Sequence, residues 1–284
     1  MAKKARQKTA KQIKKATTVA ASSQVSAQDQ TFDRLNGWHK WLAGIYFMQA
    51  IVIILLAKDQ VFPVHVSFPV VDPIASDMAG HQLTAMASRH LLDAHLSYLI
   101  AFFLLIPAVV HGLIASFYRR EYQAGLQKRV NVLRWISFGM SAALMVVSIA
   151  LVSGITNLST LIPLAVLALV GAASALISEL LPPGITPIRK VIMVIGYGSL
   201  IGAAAVAVLQ VWSGAAYGHF SGYVYGIYAS MFGLVLIGVL HYVRQQQGKG
   251  RWANYIWAEY GYIILELVIG TALAWQLFAG ALRP

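Results

Sequence analysis

The sequence contains no cysteine, which excludes disulfides and thiolate metal ligation and leaves the compartment open. Charge is scarce as well. Charged residues fill 11% of the 284 positions, whereas a soluble domain carries about 25%. Hydrophobic residues fill 58%. So few charges among so many apolar side chains point to lipid as the solvent. Enzyme signatures are missing: there is no His-Glu-x-x-His, no phosphate-binding glycine loop and no nucleophile elbow. The net charge of +12 would suit nucleic acid, but it sits almost entirely at the ends of apolar segments, which argues against that partner.

What is present is a series of long apolar runs. A helix needs roughly 20 apolar residues to cross the hydrocarbon core. Seven segments qualify, at about 38–57, 93–118, 133–153, 158–180, 188–212, 221–243 and 253–280. The runs are continuous rather than alternating, which excludes the strands of a membrane β-barrel. The expected fold is therefore an all-α bundle of seven membrane helices.

The loops predict its orientation. Nineteen of the 22 Lys and Arg residues fall on one side, in the N-terminal tail and in the loops after the second, fourth and sixth spans. Only Lys58, Arg89 and Arg283 fall on the other, together with Asp59, Asp72 and Asp77. The positive-inside rule puts the first side in the cytoplasm and Pro284 outside. Residues 1–32 read as a separate basic tail and 33–284 as the membrane domain. The tail is expected either to be disordered and solvated, or to form a surface helix with Lys4, Lys8, Lys11 and Lys15 on one face, held to anionic lipid. The one long connection, about 58–92, contains Val61–Val71, which predicts a short outward β-ribbon. Tyr217, Tyr223, Tyr225, Tyr228 and Trp212 are expected to form an interfacial aromatic belt.

Several local patterns share one resemblance. The third span opens Asn131-Val-Leu-Arg-Trp and is followed by Gly154-Ile-Thr-Asn-Leu; the first has Asn36 and then Tyr46-x-x-Gln49. Pro107-Ala-Val-Val-His111 lies in the second, Glu179 ends the fourth, and Gly222-Tyr-Val-Tyr-Gly-Ile-Tyr opens the sixth. The last span reads Gly250-Arg-Trp-Ala-Asn-Tyr, Glu259-x-x-Tyr262-Ile-Ile-Leu and Leu273-Ala-Trp-Gln-Leu-Phe-Ala-Gly280. Over about 33–284 the chain resembles the heliorhodopsins, which also place the N-terminus inside. The resemblance implies a rhodopsin-like bundle, a homodimer and a prokaryotic plasma membrane.

It also implies a departure. Family members carry a Ser-x-x-x-Lys pair in the last span, and that lysine forms the retinal Schiff base. Here the two positions are Glu266 and Gly270, and the family's counterion glutamate falls on Ser137. Glycine has no amine, so no imine forms there. Lys40, Lys58 and Lys190 fall near span ends, where long basic chains snorkel outward. The former retinal pocket by resemblance comprises Gly270, Glu266, Ser137, His111 and Tyr46. No covalent cofactor is expected; a noncovalent retinoid, a carotenoid or lipid remains open, as does collapse of the space. Glu266 reads as a structural acid hydrogen-bonded to Ser137, Tyr46 or water, as a proton-linked switch or ligand anchor, or as a lipid- or partner-facing contact. His111 and His241 read as satisfied polar groups, with axial heme ligation as the remote alternative. Arg134 and Trp135 are expected to anchor their span at the interface, and Glu179 to pair with a basic residue. Functionally the chain reads as a membrane interaction or sensory-regulatory subunit, contacting a protein partner or anionic lipid through its tail. The alternatives are a photoreceptor with a noncovalent chromophore and a proton-coupled transporter using Glu266.

Overall fold

A computed structural model describes residues 2–58, 60–182, 184–218 and 220–283, with backbone only for 2–28. Among the described residues there are nine α-helices and two strands. Helix α1 runs Ala2–Leu56, followed by β1 (Val61–Val71), α2 (Pro73–Ala79) and β2 (Thr84–His95). Then come α3 (Leu96–Ser116), α4 (Arg119–Gln127), α5 (Val132–Val152), α6 (Leu158–Leu180), α7 (Thr186–Tyr217), α8 (Gly222–Gln247) and α9 (Tyr255–Leu277), the last extended by a π turn over Phe278–Leu282. Among the described residues, seven helices are long and apolar enough to cross a membrane: the 29–56 part of α1, α3, α5, α6, α7, α8 and α9 with its extension. All seven expected spans are present.

Their starts have local causes. Asn131, Asn157 and Asn254 cap α5, α6 and α9, each side-chain oxygen accepting a backbone N–H of the first turn. A capping oxygen satisfies a donor that the helix cannot reach internally. Gly248 ends α8 in the left-handed conformation. At the start of α1, backbone helix runs through the basic tail, where a disordered tail was one expectation and a surface helix the other. Its Ala, Lys and Gln residues are good helix formers, so the helix of the first span continues into it. The side chains of Lys4, Lys8, Lys11 and Lys15 lie outside the described residues.

The expected ribbon over Val61–Val71 is β1, and it pairs antiparallel with β2 from Val61↔His95 to Val71↔Thr84. A bulge falls at Val64/His65. There the hairpin is tied to the α5–α6 turn: His65 N–H donates to Thr156 O at 3.1 Å, and Asn157 Nδ2 donates to Ser67 Oγ at 2.9 Å. Val64 packs into an apolar cluster with Ala150, Leu151, Leu161 and Leu164.

Lipid tails are as apolar as leucine, so helices in a membrane are held by close packing and polar contacts. Helix α1 packs along α3, α3 on α5, α5 on α6, α6 on α7, and α8 on α9, while α7 hardly touches α8. Gly139 lets α5 approach Ala172 of α6, and Gly196 lets α7 approach Ser174; a β-carbon at either would stand 3.1 and 2.8 Å from those side chains. The main core lies where α1, α3 and α9 meet, around Tyr46, Phe103, Leu104 and Leu273. The aromatic belt is only partly as expected. Trp212 and Tyr217 are exposed and stack edge-on, but Tyr223 turns against Gly280, and Tyr228 shares a 2.8 Å hydrogen bond with Ser153. Two of the five tyrosine and tryptophan side chains therefore pin helix ends together.

Candidate functional site

One stripe of α1 supplies the first wall. Phe32, Leu35, His39, Leu42, Tyr46, Gln49 and Ile53 follow each other at alternating spacings of three and four, and all are buried. That spacing keeps one helical face inward. It carries two polar residues, His39 and Gln49, into the bundle. Gln49 is held to α9 by its bond to Thr271 (3.2 Å) and by Trp275, whose Nε1–H donates to it at 3.1 Å.

His39 meets His111 of α3, Nδ1 to Nδ1, at 2.7 Å. One ring must donate and the other accept, so only one of the two Nδ1 atoms carries a proton. The pair therefore holds at most one positive charge. The far nitrogen of His111, Nε2, lies 3.3 Å from Glu266 Oε2 on α9, within ion-pair range but off the axis of a full hydrogen bond. Ser137 of α5 donates to the other carboxylate oxygen at 2.6 Å. Four helices thus converge on Glu266 through His39, His111 and Ser137.

Tyr46 takes a different place from the one expected. Its hydroxyl makes no hydrogen bond, and its ring stacks on His111 with centroids 6.0 Å apart. The same ring covers Gly270: a β-carbon there would lie 3.3 Å from Tyr46 Cε1 and 3.6 Å from Met145 Cε. The five residues read from sequence are therefore brought together, but Tyr46 acts as filling beside Gly270 and gives Glu266 no hydrogen bond. Lys40, Lys58, Lys128, Lys190 and Lys249 are all exposed, and α9 has no lysine.

A second polar cluster lies one to two turns nearer the basic end of the bundle, where the Lys- and Arg-rich loops are. Arg134 was expected to anchor α5 at an interface. It is instead 4% exposed, because two carboxylates hold it inside. Its guanidinium pairs with Glu259 of α9 and, at 2.5 Å, with Glu179 of α6. Glu179, expected to pair with a basic residue, does so here. Asn131 Nδ2 donates to Glu259 at 2.7 Å, Tyr122 Oη at 3.2 Å, and Tyr255 Oη donates to Glu179 at 3.0 Å. Burial first, and the Glu259 carboxylate second, push the Tyr122 phenol well above its ordinary value, so it stays a donor. The rings of Tyr262 and Trp135 lie 3.9 and 4.8 Å from the guanidinium carbon. One cation thus meets two anions, each with further hydrogen bonds, which is what makes a buried charge tolerable.

A cavity of about 10 Å³ separates the clusters, lined by His111, Ser137 and Glu266 on one side and Asn131, Arg134 and Glu259 on the other. That is about the room of one water. His241 stands apart: Trp252 donates to its Nδ1 at 3.3 Å and its Nε2 lies 2.9 Å from Ala258 O, which fits one neutral tautomer. It does not meet His111, so the two do not form a heme-binding pair. Among the described residues no three His, Asp or Glu side chains are grouped to hold a metal ion.

Sequence reading missed His39 and the joining of Arg134 to Glu259. The signal for His39 was the three-and-four spacing of its stripe. Glu259 carried only its place in a motif.

Among the described residues, seven apolar helices, a two-stranded hairpin and a polar centre facing the last helix define a rhodopsin-type membrane protein. The family model of heliorhodopsin matches residues 35–282, and the chain belongs to that family. Heliorhodopsins are membrane proteins of a kind not generally enzymatic. None of the curated proteins compared with the chain matches it.

Proposed function

We propose that this chain is a heliorhodopsin that works without covalently bound retinal, as a non-enzymatic membrane interaction or sensory-regulatory subunit with its basic end in the cytoplasm. The observation that carries this is Tyr46 against Gly270: the position that bears the lysine in the family has no amine, and the ring beside it leaves little room for one. Glu266 supports it too. With Ser137 and His111 as neighbours, the carboxylate needs no Schiff base as its partner. The test is expression with all-trans retinal, a visible spectrum, and mass spectrometry after borohydride reduction. No visible band and no retinylidene adduct are expected; a hydroxylamine-sensitive band with the adduct would sink the reading. The interaction role is tested by copurification and by binding to phosphatidylserine vesicles, with and without residues 1–30. Equal binding by both forms would remove the tail from that role.

A second reading has one observation of its own. His39, His111 and Glu266 form a polar chain that faces Arg134 and Glu259 across a water-sized space. Such a chain suits proton movement, and a proton-coupled transporter would use it. Liposome flux that depends on pH and disappears in Glu266→Gln would favour this reading. Flux unchanged by that substitution would take Glu266 out of it.

A further inference from the structure

We infer that the hollow enclosed by the hairpin bulge, the α5–α6 turn and the last turns of α7 binds a neutral glycosyl group, received by His65, Thr160, Gln210 and Ser213. The inference involves neither Gly270 nor Glu266 and stands or falls independently of the retinal question.

The hollow encloses about 360 Å³ at the end of the bundle opposite the basic loops. Small-molecule sites usually fall at about 300–1,000 Å³. Its walls are tied together before anything enters. The bulge at Val64/His65 sends Val64 into the apolar cluster and turns His65 to the α5–α6 turn, where its Nδ1 lies 3.2 Å from Thr156 Oγ1. Gly154 supplies the left-handed backbone of that turn, at φ +83°. From α7, Gln210 Nε2 donates to Ser153 O at 2.6 Å. Three parts of the chain that are distant in sequence thus form one rim.

Two of the ties use one end of a two-ended side chain. A carbonyl only accepts, so Gln210 presents its amide nitrogen to Ser153 and keeps Oε1 free. His65 likewise keeps Nε2. Thr160, in the first turn of α6, and Ser213, one turn beyond Gln210 on the same face of α7, add a hydroxyl each. Among the described residues these four atoms take no hydrogen bond, and none is closed off from solvent. Ile155, Val206 and Leu209 supply apolar lining in the same hollow.

The lining selects the ligand. Among the described residues no Lys, Arg, Asp or Glu takes part in it, so nothing there neutralises an ion. Gln210 Oε1 only accepts and repels a carboxylate or phosphate. An alcohol oxygen both donates and accepts, and a sugar ring carries several on a body whose C–H face suits the apolar lining. The depth fits as well: Trp212, next to Ser213 and 57% exposed, is the kind of side chain that sits at headgroup level. The glycosyl group is that of a glycolipid in this leaflet or a free sugar.

The experiment uses the full chain in phosphatidylcholine nanodiscs, with native mass spectrometry for added lipid and saturation-transfer NMR for added methyl glucoside or methyl galactoside. Monoglucosyl- or monogalactosyldiacylglycerol should bind saturably, at least about tenfold tighter than diacylglycerol, which lacks the sugar, or phosphatidylglycerol, whose headgroup is charged. The methyl glycoside should displace it. Displacement at concentrations comparable with the glycolipid's own names free sugar as the source, and displacement only at large excess names the lipid. Thr160→Val with Ser213→Ala removes two hydroxyls with little change of shape and should weaken binding about tenfold while leaving the melting temperature unchanged. Ser213→Trp should fill the hollow and abolish binding. No binding of either glycolipid, uptake equal to that of diacylglycerol, preference for phosphatidylglycerol, no displacement by either methyl glycoside, or binding unchanged in either variant would overturn the inference.

Discussion

The ring of Tyr46 occupies the direction in which any side chain at Gly270 would have to grow, with Cε1 3.3 Å from the place of a β-carbon. A lysine restored there would meet this ring before it met a chromophore. Gly270→Lys with Ser137→Glu is therefore expected to stay colourless with all-trans retinal, and adding Tyr46→Leu is expected to produce a visible band. Absorbance spectra of the purified variants decide it. Colour in the double variant would show that Tyr46 yields easily.

Arg134 is held between Glu259 and Glu179. Removing one partner of a buried pair leaves an uncompensated charge, which costs about 3–5 kcal/mol. Arg134→Met should lower the melting temperature in detergent sharply, and Glu179→Gln with Glu259→Gln in the same chain should recover much of the loss. If Arg134→Met melts like the parent, the cluster is not holding the helices together.

Glu266 accepts from Ser137 and faces His111. Glu266→Leu leaves both groups buried without their partner, a loss of about 1–3 kcal/mol. Glu266→Gln keeps an acceptor for Ser137 and should lose less. Thermal unfolding of the two variants checks the order; equal loss would mean that the negative charge, not the hydrogen bond, matters.

Gly261 lets α9 pass the ring of His241, since a β-carbon there would lie 2.2 Å from His241 Cε1. Gly261→Ala must push the ring off Ala258 and Trp252, and overpacking of this kind costs about 1–3 kcal/mol. His241→Ala should lose its own hydrogen bonds but tolerate the extra methyl. A double-mutant cycle on melting curves should show strong coupling, and additive losses would contradict the contact.

Much of the fold was legible in the sequence. Seven spans and the strand Val61–Val71 follow from continuous apolar runs and β-type residues, because a segment must satisfy its own backbone in lipid whatever its neighbours do. The absence of an amine in the last span is equally a property of the sequence, and so is the family. The pairings were not legible. His39 and His111 are 72 residues apart, Arg134 and Glu259 are 125 apart, and nothing local dictates how their helices rotate against each other. Arg134 shows the difference best: near the start of a span it reads as an interfacial anchor, and only the approach of α6 and α9, each bringing a carboxylate, makes its burial affordable. Helix α7 shows the converse, for its 32 apolar-rich residues say that it spans, while only the packing on α6 decides that it stands clear of α8 and leaves a cleft.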